Sequence, residues 1–357
     1  MTDIVKPDVI WIEGRCYRVN DPTSEVTSLQ EHDTYENDTP INDLDDEYDD
    51  DNVEVVMMDD SRFCTNLHVS KHYMGYIIGK KGAVKYRIER DTRTQIKVPK
   101  PGQAGDIVIL GQSPSSVKAA RRRINIIVMS SRMKQRPTHF ISIPMNNSNI
   151  VANFERFKAE VLKECPNFDE SLFIRAQKLH ITMGVMCLMD NEERLLASKL
   201  LTEANEKVIA PLLQSRAPPK IKLKGLSYMN DDPKQIDVLY GNVQEEGHPT
   251  GFLQNLGDSL VDHFYKAGIM DRDHGRENIK LHVTLINSKY RGQSDANIDN
   301  ATNHSRRSRQ SFDGSQILNK FSEYDFGVME LTEIHISQRY AIGTDGYYQP
   351  TFVLSLN

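Results

Sequence analysis

Two nearly identical hexapeptides constrain this fold more than any other feature: Lys178-Leu179-His180-Ile181-Thr182-Met183 and Lys280-Leu281-His282-Val283-Thr284-Leu285. Each alternates polar with apolar residues, the period of a strand with one buried face. Residues i and i+2 share a face of a strand, so His180 and Thr182 point together, as do His282 and Thr284. Leu179, Ile181 and Met183 anchor the opposite face in a core. Such a repeat predicts two similar lobes whose central strands meet across a cleft. The tripeptide alone would not carry this reading. Six His-x-Ser/Thr matches occur, at His32, His68, His180, His248, His282 and His335, and only the flanking residues single out two of them.

Two imidazoles and two hydroxyls across a cleft suit phosphodiester chemistry. One imidazole takes a proton from the attacking hydroxyl or water while the other protonates the leaving oxygen. The threonines stabilise charge developing on the non-bridging oxygens. Histidine supplies both protonation states near neutral pH. No Asp, Glu or Cys stands near either histidine at ligand spacing, so neither a metal site nor a cofactor is read from the sequence. His335-Ile336-Ser337 is a third, looser match: lining the cleft is one reading and packing near the C-terminal strand the favoured one, with Arg339 a candidate phosphate contact. His68 is read as structural.

Charge is segregated along the chain. The whole carries −6 over 357 residues, but residues 21–60 hold 16 Asp/Glu and no Lys or Arg, and residues 61–136 hold 17 Lys/Arg against 3 Asp/Glu. Four regions follow: an N-terminal element (1–20), a self-repelling acidic linker expected to be disordered (21–60), a basic domain (61–136) and a mildly acidic domain (137–357). Phosphate affinity is expected in the basic domain, which would deliver substrate to the histidine cleft. The N-terminal element reads as two brief strands about Glu13-Gly14, with too little core of its own; docking on a partner is one reading and packing back on the chain the other. No apolar run approaches the roughly 20 residues needed to span a bilayer. Cys16, Cys64, Cys165 and Cys187 are too far apart for a disulfide framework, and an intracellular, reducing location is expected.

In the basic domain, Phe63, Thr65, Leu67 and Val69 alternate as a strand. Residues 71–78 then form a short helix ending at Gly79-Lys80-Lys81-Gly82, and a second helix carries Val84 and Ile88. Strands at 94–98 and 107–110 precede a long helix capped by Ser113, with Val117, Ala120, Ile124 and Ile127 on one face. Arg121-Arg122-Arg123 reads as a solvated helix face. The order is strand, helix, helix, strand, strand, helix, and with its Gly-x-x-Gly loop the segment resembles a KH domain of the eukaryotic type. That resemblance implies a loop clamping the backbone of single-stranded RNA, with single-stranded DNA also open. Two glycines allow close approach to phosphates, and Lys80 and Lys81 neutralise charge. Ile77, Ile88, Ile96 and Val98 are candidates for an apolar groove under the bases.

Residues 137–357 read as α+β with antiparallel sheet. Strands are expected at 139–143, 178–188, 220–228, 236–243, 279–287, 327–338 and 351–356. Helices are expected around Phe154, Phe157 and Val161, at 192–213 with Leu196, Leu200, Ala204 and Val208 inward, and at 252–267; 288–312 is a polar loop. With His180, Thr182, His282 and Thr284, this region resembles the bilobal two-histidine (2H) phosphoesterase superfamily, in its RNA-ligase-like, A-kinase-anchor-type branch. The resemblance implies that these four residues are catalytic.

The pairing of both domains behind Ile12, Gly14, Arg15, Tyr17 and Arg18 is similar to the KH-containing subunits of the activating signal cointegrator complex. That resemblance implies a nuclear location, transcription coactivation and alkylation-damage repair, and a helicase subunit of that complex as the partner of the N-terminal element. The expected function is a metal-independent RNA phosphodiesterase acting on RNA ends. The competing reading is a non-catalytic adaptor whose cleft recognises phosphorylated ends without turnover.

Overall fold

The computed structural model describes residues 54–356 apart from 59–60, 101–102, 104, 214–218, 230, 248–250, 271–277 and 293–308, together with the backbone of 9–12 and 15–18. The acidic linker up to residue 53, Gly14, His32 and His248 lie outside the described residues. In the N-terminal unit, β1 (Val9–Ile12) pairs antiparallel with β2 (Arg15–Arg18), which is the expected strand pair.

The basic domain runs β3 (Val56–Met57), β4 (Phe63–Leu67), α1 (Lys71–Ile78), α2 (Ala83–Thr92), β5 (Thr94–Lys97), β6 (Ile107–Gly111) and α3 (Pro114–Met133), with sheet order β3-β4-β6-β5. Ser113 caps α3 by accepting a hydrogen bond from the Ser116 N–H at 3.2 Å, with Pro114 in the first turn, where its missing N–H costs nothing. The stripe Val117, Ala120, Ile124 and Ile127 is buried against the sheet, as its spacing requires. Two arginines of this helix are held by the domain itself: Arg121 donates to the Asn66 carbonyl and Arg123 pairs with Asp91.

The second domain continues with β7 (His139–Pro144), α4 (Ser148–Glu164), β8 (His180–Met186), α5 (Asn191–Ala204), α6 (Ala210–Leu213), β9 (Lys220–Tyr228), β10 (Val238–Glu246), α7 (Phe252–Lys266), β11 (Val283–Asn287), α8 (Ser315–Phe321), β12 (Asp325–Glu330), β13 (Glu333–Ile342) and β14 (Tyr348–Ser355). Its strands form one eight-stranded sheet in the order β12-β9-β10-β11-β8-β7-β13-β14. The two lobes are halves of this sheet, joined where β8 pairs antiparallel with β11. They share a β-α-β unit: β7-α4-β8 in one and β10-α7-β11 in the other. Each helix packs across the join, α4 on β12 and α7 on β8, so the lobes share one apolar core.

Some elements differ from expectation. The span 192–213 is broken by a π-helical turn at Asn205–Ile209. Ala197, Leu200, Leu201 and Ala204 are buried before it and Ile209 at its end, while Leu196 is 41% exposed. At the wide turn the inward position falls on Ile209 in place of the expected Val208. The strand expected at 327–338 is two strands, β12 and β13, separated at Leu331-Thr332.

The KH-like and 2H-like parts meet through a buried ion pair. Arg132, near the end of α3, pairs with Glu193 at 2.7 Å, both under a tenth exposed. Arg132 also donates to the Cys187 carbonyl and lies over the Tyr73 ring, 5.1 Å from its centroid. Glu193 accepts in turn from the Met189 N–H at 2.7 Å. Beside this pair, His68 bridges Asp106 at 3.2 Å and Asp190 at 3.1 Å. Burial opposes charging of His68, but its hydrogen bonds to the two carboxylates prevail and raise its pKa. His68 is therefore structural, as expected, and its place is the joint.

Candidate functional site

The pairing of Ile181 with Val283 fixes the geometry of the repeat. Counting outward along antiparallel strands places His180 opposite Thr284 and Thr182 opposite His282. Each histidine thus stands beside the other motif's threonine. His180, Thr182 and Thr284 line one cavity of about 1060 Å³, and His282 is close enough that its charge bears on His180.

The two half-sites are built alike. His180 Nδ1 donates to the Lys178 carbonyl at 2.7 Å, and His282 Nδ1 donates to the Lys280 carbonyl at 2.7 Å. A carbonyl only accepts, so Nδ1 carries the proton and Nε2 of a neutral ring keeps its lone pair. Tyr348 meets the His180 ring edge to face at 5.3 Å, and Tyr240 meets His282 in the same manner at 5.3 Å. The ammonium of Lys178 lies over Tyr348 at 5.4 Å and that of Lys280 over Tyr240 at 4.8 Å. Sequence reasoning missed both tyrosines. Its signal was the lysine repeated two positions before each histidine; nothing local pointed to Tyr240 or Tyr348, which arrive from distant strands.

Burial, and then the charge of His282, push the His180 pKa down to about 4, against the upward pull of the Lys178 carbonyl. At neutral pH His180 is therefore an uncharged ring with a lone pair on Nε2. A second cavity-lining histidine, His139, is also lowered to about 4, by burial and the charge of Arg194.

The cavity is cationic although its domain is mildly acidic. Lys158, Arg175, Lys178, Lys289, Arg309 and Arg339 line it against Glu155 and Glu170, and Glu170 is held by Lys158 at 2.9 Å. Clustered positive charge is therefore not confined to residues 61–136, the region that summed charge singles out. Arg339 is on this wall. Among the described residues no three His, Cys, Asp or Glu gather as a metal site, and no helix is long and apolar enough to cross a membrane.

The third motif packs. His335 is 8% exposed, stacked edge to face on Tyr347 at 5.7 Å and 3.0 Å from Glu333. The Tyr347 hydroxyl donates to Ser142 Oγ at 2.9 Å, and Ser142 bonds Ser337 Oγ at 3.0 Å. Tyr347 also meets the His180 ring edge to face at 6.5 Å, so this buried network adjoins the histidine on the same face of the sheet.

In the basic domain, Gly79-Lys80-Lys81-Gly82 joins α1 to α2 as a tight turn with both lysines exposed. Gly79 has φ +69°, and a Cβ there would sit 2.4 Å from Val84 Cγ2, so only glycine fits. The expected groove needs correction. Ile77 and Ile88 are fully buried and Ile96 is 1% exposed, so they form the core and cannot face a base. Tyr73 and Ile77 share the inner face of α1 at i, i+4 spacing. The exposed apolar side chains flanking the loop are Tyr76, Ile78 and Tyr86, with Val98 half-buried.

Comparison with known proteins agrees with this arrangement. The sequence pattern of the AKAP7 2'5' RNA ligase-like domain matches residues 137–356, and that of the KH domain matches residues 65–126. The chain is 31% identical over 358 residues, 97% of each protein, to activating signal cointegrator 1 complex subunit 1 of Mus musculus. The chain belongs to the family of that subunit. It is similar to the solution structure of the first KH type I domain of human vigilin (22% identity, 24% of this chain and 89% of that one, TM-score 0.21). It is also similar to the crystal structure of E. coli LigT complexed with 3'-AMP (15% identity, 62% of this chain and 99% of that one, TM-score 0.38). In this chain, then, a KH domain precedes a 2H phosphoesterase-like fold.

Proposed function

We propose that the chain is an RNA-binding phosphodiesterase that works without a metal, its 2H cleft processing RNA ends while the KH loop holds the single strand. The observation that carries this reading is the paired half-site: two histidines with Nδ1 held by a main-chain carbonyl, each opposite the other's threonine. Acid, base and charge stabiliser are all supplied by side chains. On a 2′,3′-cyclic phosphate, a water attacks phosphorus and His180 Nε2 accepts its proton. His282 gives a proton to the departing ribose oxygen, the P–O bond breaks and an open monoester remains. Thr182 and Thr284 hydrogen-bond the non-bridging oxygens as charge builds there. The depressed pKa of His180 supports its place as the base.

Family membership supports further readings. The chain acts as a subunit of a nuclear coactivator and alkylation-repair complex, and its N-terminal strand pair docks a helicase subunit. The test of activity is turnover by purified protein in EDTA, on RNA oligomers ending in a 2′,3′-cyclic phosphate or a 3′-hydroxyl. Conversion of the cyclic end supports the enzyme. Tight binding of phosphorylated ends with no conversion replaces it with the adaptor.

A further inference from the structure

Cations that the two-histidine chemistry does not use gather at the cavity wall. Lys289, in the turn Ser288–Tyr290 after β11, belongs to one lobe, and Arg339, on β13, belongs to the other; both line the cavity. Arg136, in the segment joining α3 to β7, stands near Lys289. Among the described residues no carboxylate pairs with Lys289, Arg339 or Arg136, whereas neighbouring Arg309 is held by Asp237 at 3.4 Å. The crowding is felt by Lys289, whose pKa is lowered by desolvation and then by Arg339, Arg309 and Arg136. Beside Arg339 the cavity wall carries an aromatic face: Tyr340 is 40% exposed, its ring centroid 5.8 Å from the guanidinium.

Like charges facing one another without a counter-charge repel, and an anion among them relieves that repulsion. Each lobe contributes a cation to the one cavity, so the cluster is a place and not one element's solvated face. We propose that Lys289 and Arg339 form a subsite for a backbone phosphate of single-stranded nucleic acid, next to the phosphate held by His180 and His282, with Tyr340 offering its ring to the adjoining base. The proposal rests on the nucleic-acid reading of the cleft and deepens it: the ligand is an oligonucleotide, not a mononucleotide.

The test uses the full chain carrying Lys80→Asp and Lys81→Asp, which removes the KH grip. Its affinity is measured for a labelled RNA trinucleotide and a mononucleotide, each ending in a 3′-phosphate so that no turnover intervenes. The trinucleotide should bind about tenfold more tightly than the mononucleotide. Adding Lys289→Gln and Arg339→Gln should remove most of that advantage. It should also flatten the slope of log affinity against log salt by roughly 0.7 for each phosphate that is no longer neutralised. Lys289→Arg should retain the advantage, which separates charge from packing. Equal affinity for both ligands in the parent overturns the subsite, as does an advantage that survives the two glutamines. Because the readout is binding, a chain without turnover would sink the enzymatic reading and leave this one standing.

Discussion

Ile181 and Val283 pair across two antiparallel strands, each the central residue of a His-x-Thr motif. Their side chains face the core, both fully buried, while the residues on either side of each face the cleft. One backbone register therefore aligns four functional side chains. A slip of one residue would turn them into the core. Substituting Ile181 or Val283 with alanine should lower stability by about 2–4 kcal/mol, because each change empties part of the core. Denaturant unfolding measures it, and a change below about 0.5 kcal/mol would contradict the central placement of this pair.

The pH dependence of His180 follows from its surroundings. Its folded pKa is about 4 against an ordinary 6.5. On acidification the unfolded chain therefore takes up the proton first, so stability is full above about pH 6.5 and falls as pH drops toward 4. His139 acts in the same direction. Imidazole NMR titration should place the His180 midpoint near 4, and a midpoint near 6.5 would show the ring to be solvated.

At the inter-domain joint, Glu193→Gln should destabilise by about 3–5 kcal/mol, because Arg132 would stay buried and unpaired. Replacing both partners with apolar residues of similar volume should cost less than either single change. His68 works in the opposite pH sense from His180. Its raised pKa makes its contribution complete below about pH 6.5 and absent once pH has climbed through the raised value. Chemical unfolding across pH separates the two effects.

Much of this was legible in the sequence because it is written in local periods. The repeated hexapeptides announced strands with His and Thr on one face. Gly79 and Gly82 announced a turn that no other residue could make at Gly79. What stayed hidden depends on encounters between distant segments. Tyr240 and Tyr348 reach the histidines from β10 and β14, and Lys289 meets Arg339 only because both lobes border one cavity. Ile77 was misplaced for a simpler reason: being apolar and beside the loop does not tell which side of a helix a residue faces. The i, i+4 partner Tyr73 does tell it.

For the KH loop, Gly79→Ala should cost at least about 1 kcal/mol, since positive φ and the proximity of Val84 both oppose a side chain. Lys80→Asp with Lys81→Asp should leave stability near the parent value, weaken oligonucleotide binding and reduce its salt dependence. Unaltered binding in the double variant would move the nucleic-acid site elsewhere.

The third motif separates packing from chemistry. His335→Ala should lower stability by roughly 1–3 kcal/mol, because the ring is buried on Tyr347. Turnover per folded molecule should stay near that of the parent. A fall as deep as that of a cleft histidine would place His335 in the reaction.

The central claim is that His180 and His282 act as one acid–base unit, and turnover of a 2′,3′-cyclic-phosphate RNA oligomer in EDTA by four proteins tests it most directly: the parent, His180→Ala, His282→Ala and the double variant. The account predicts that each single change lowers turnover by about 10²–10⁴-fold and that the double variant is scarcely worse than either, since the residues fail together. Turnover unchanged in either single variant would contradict it.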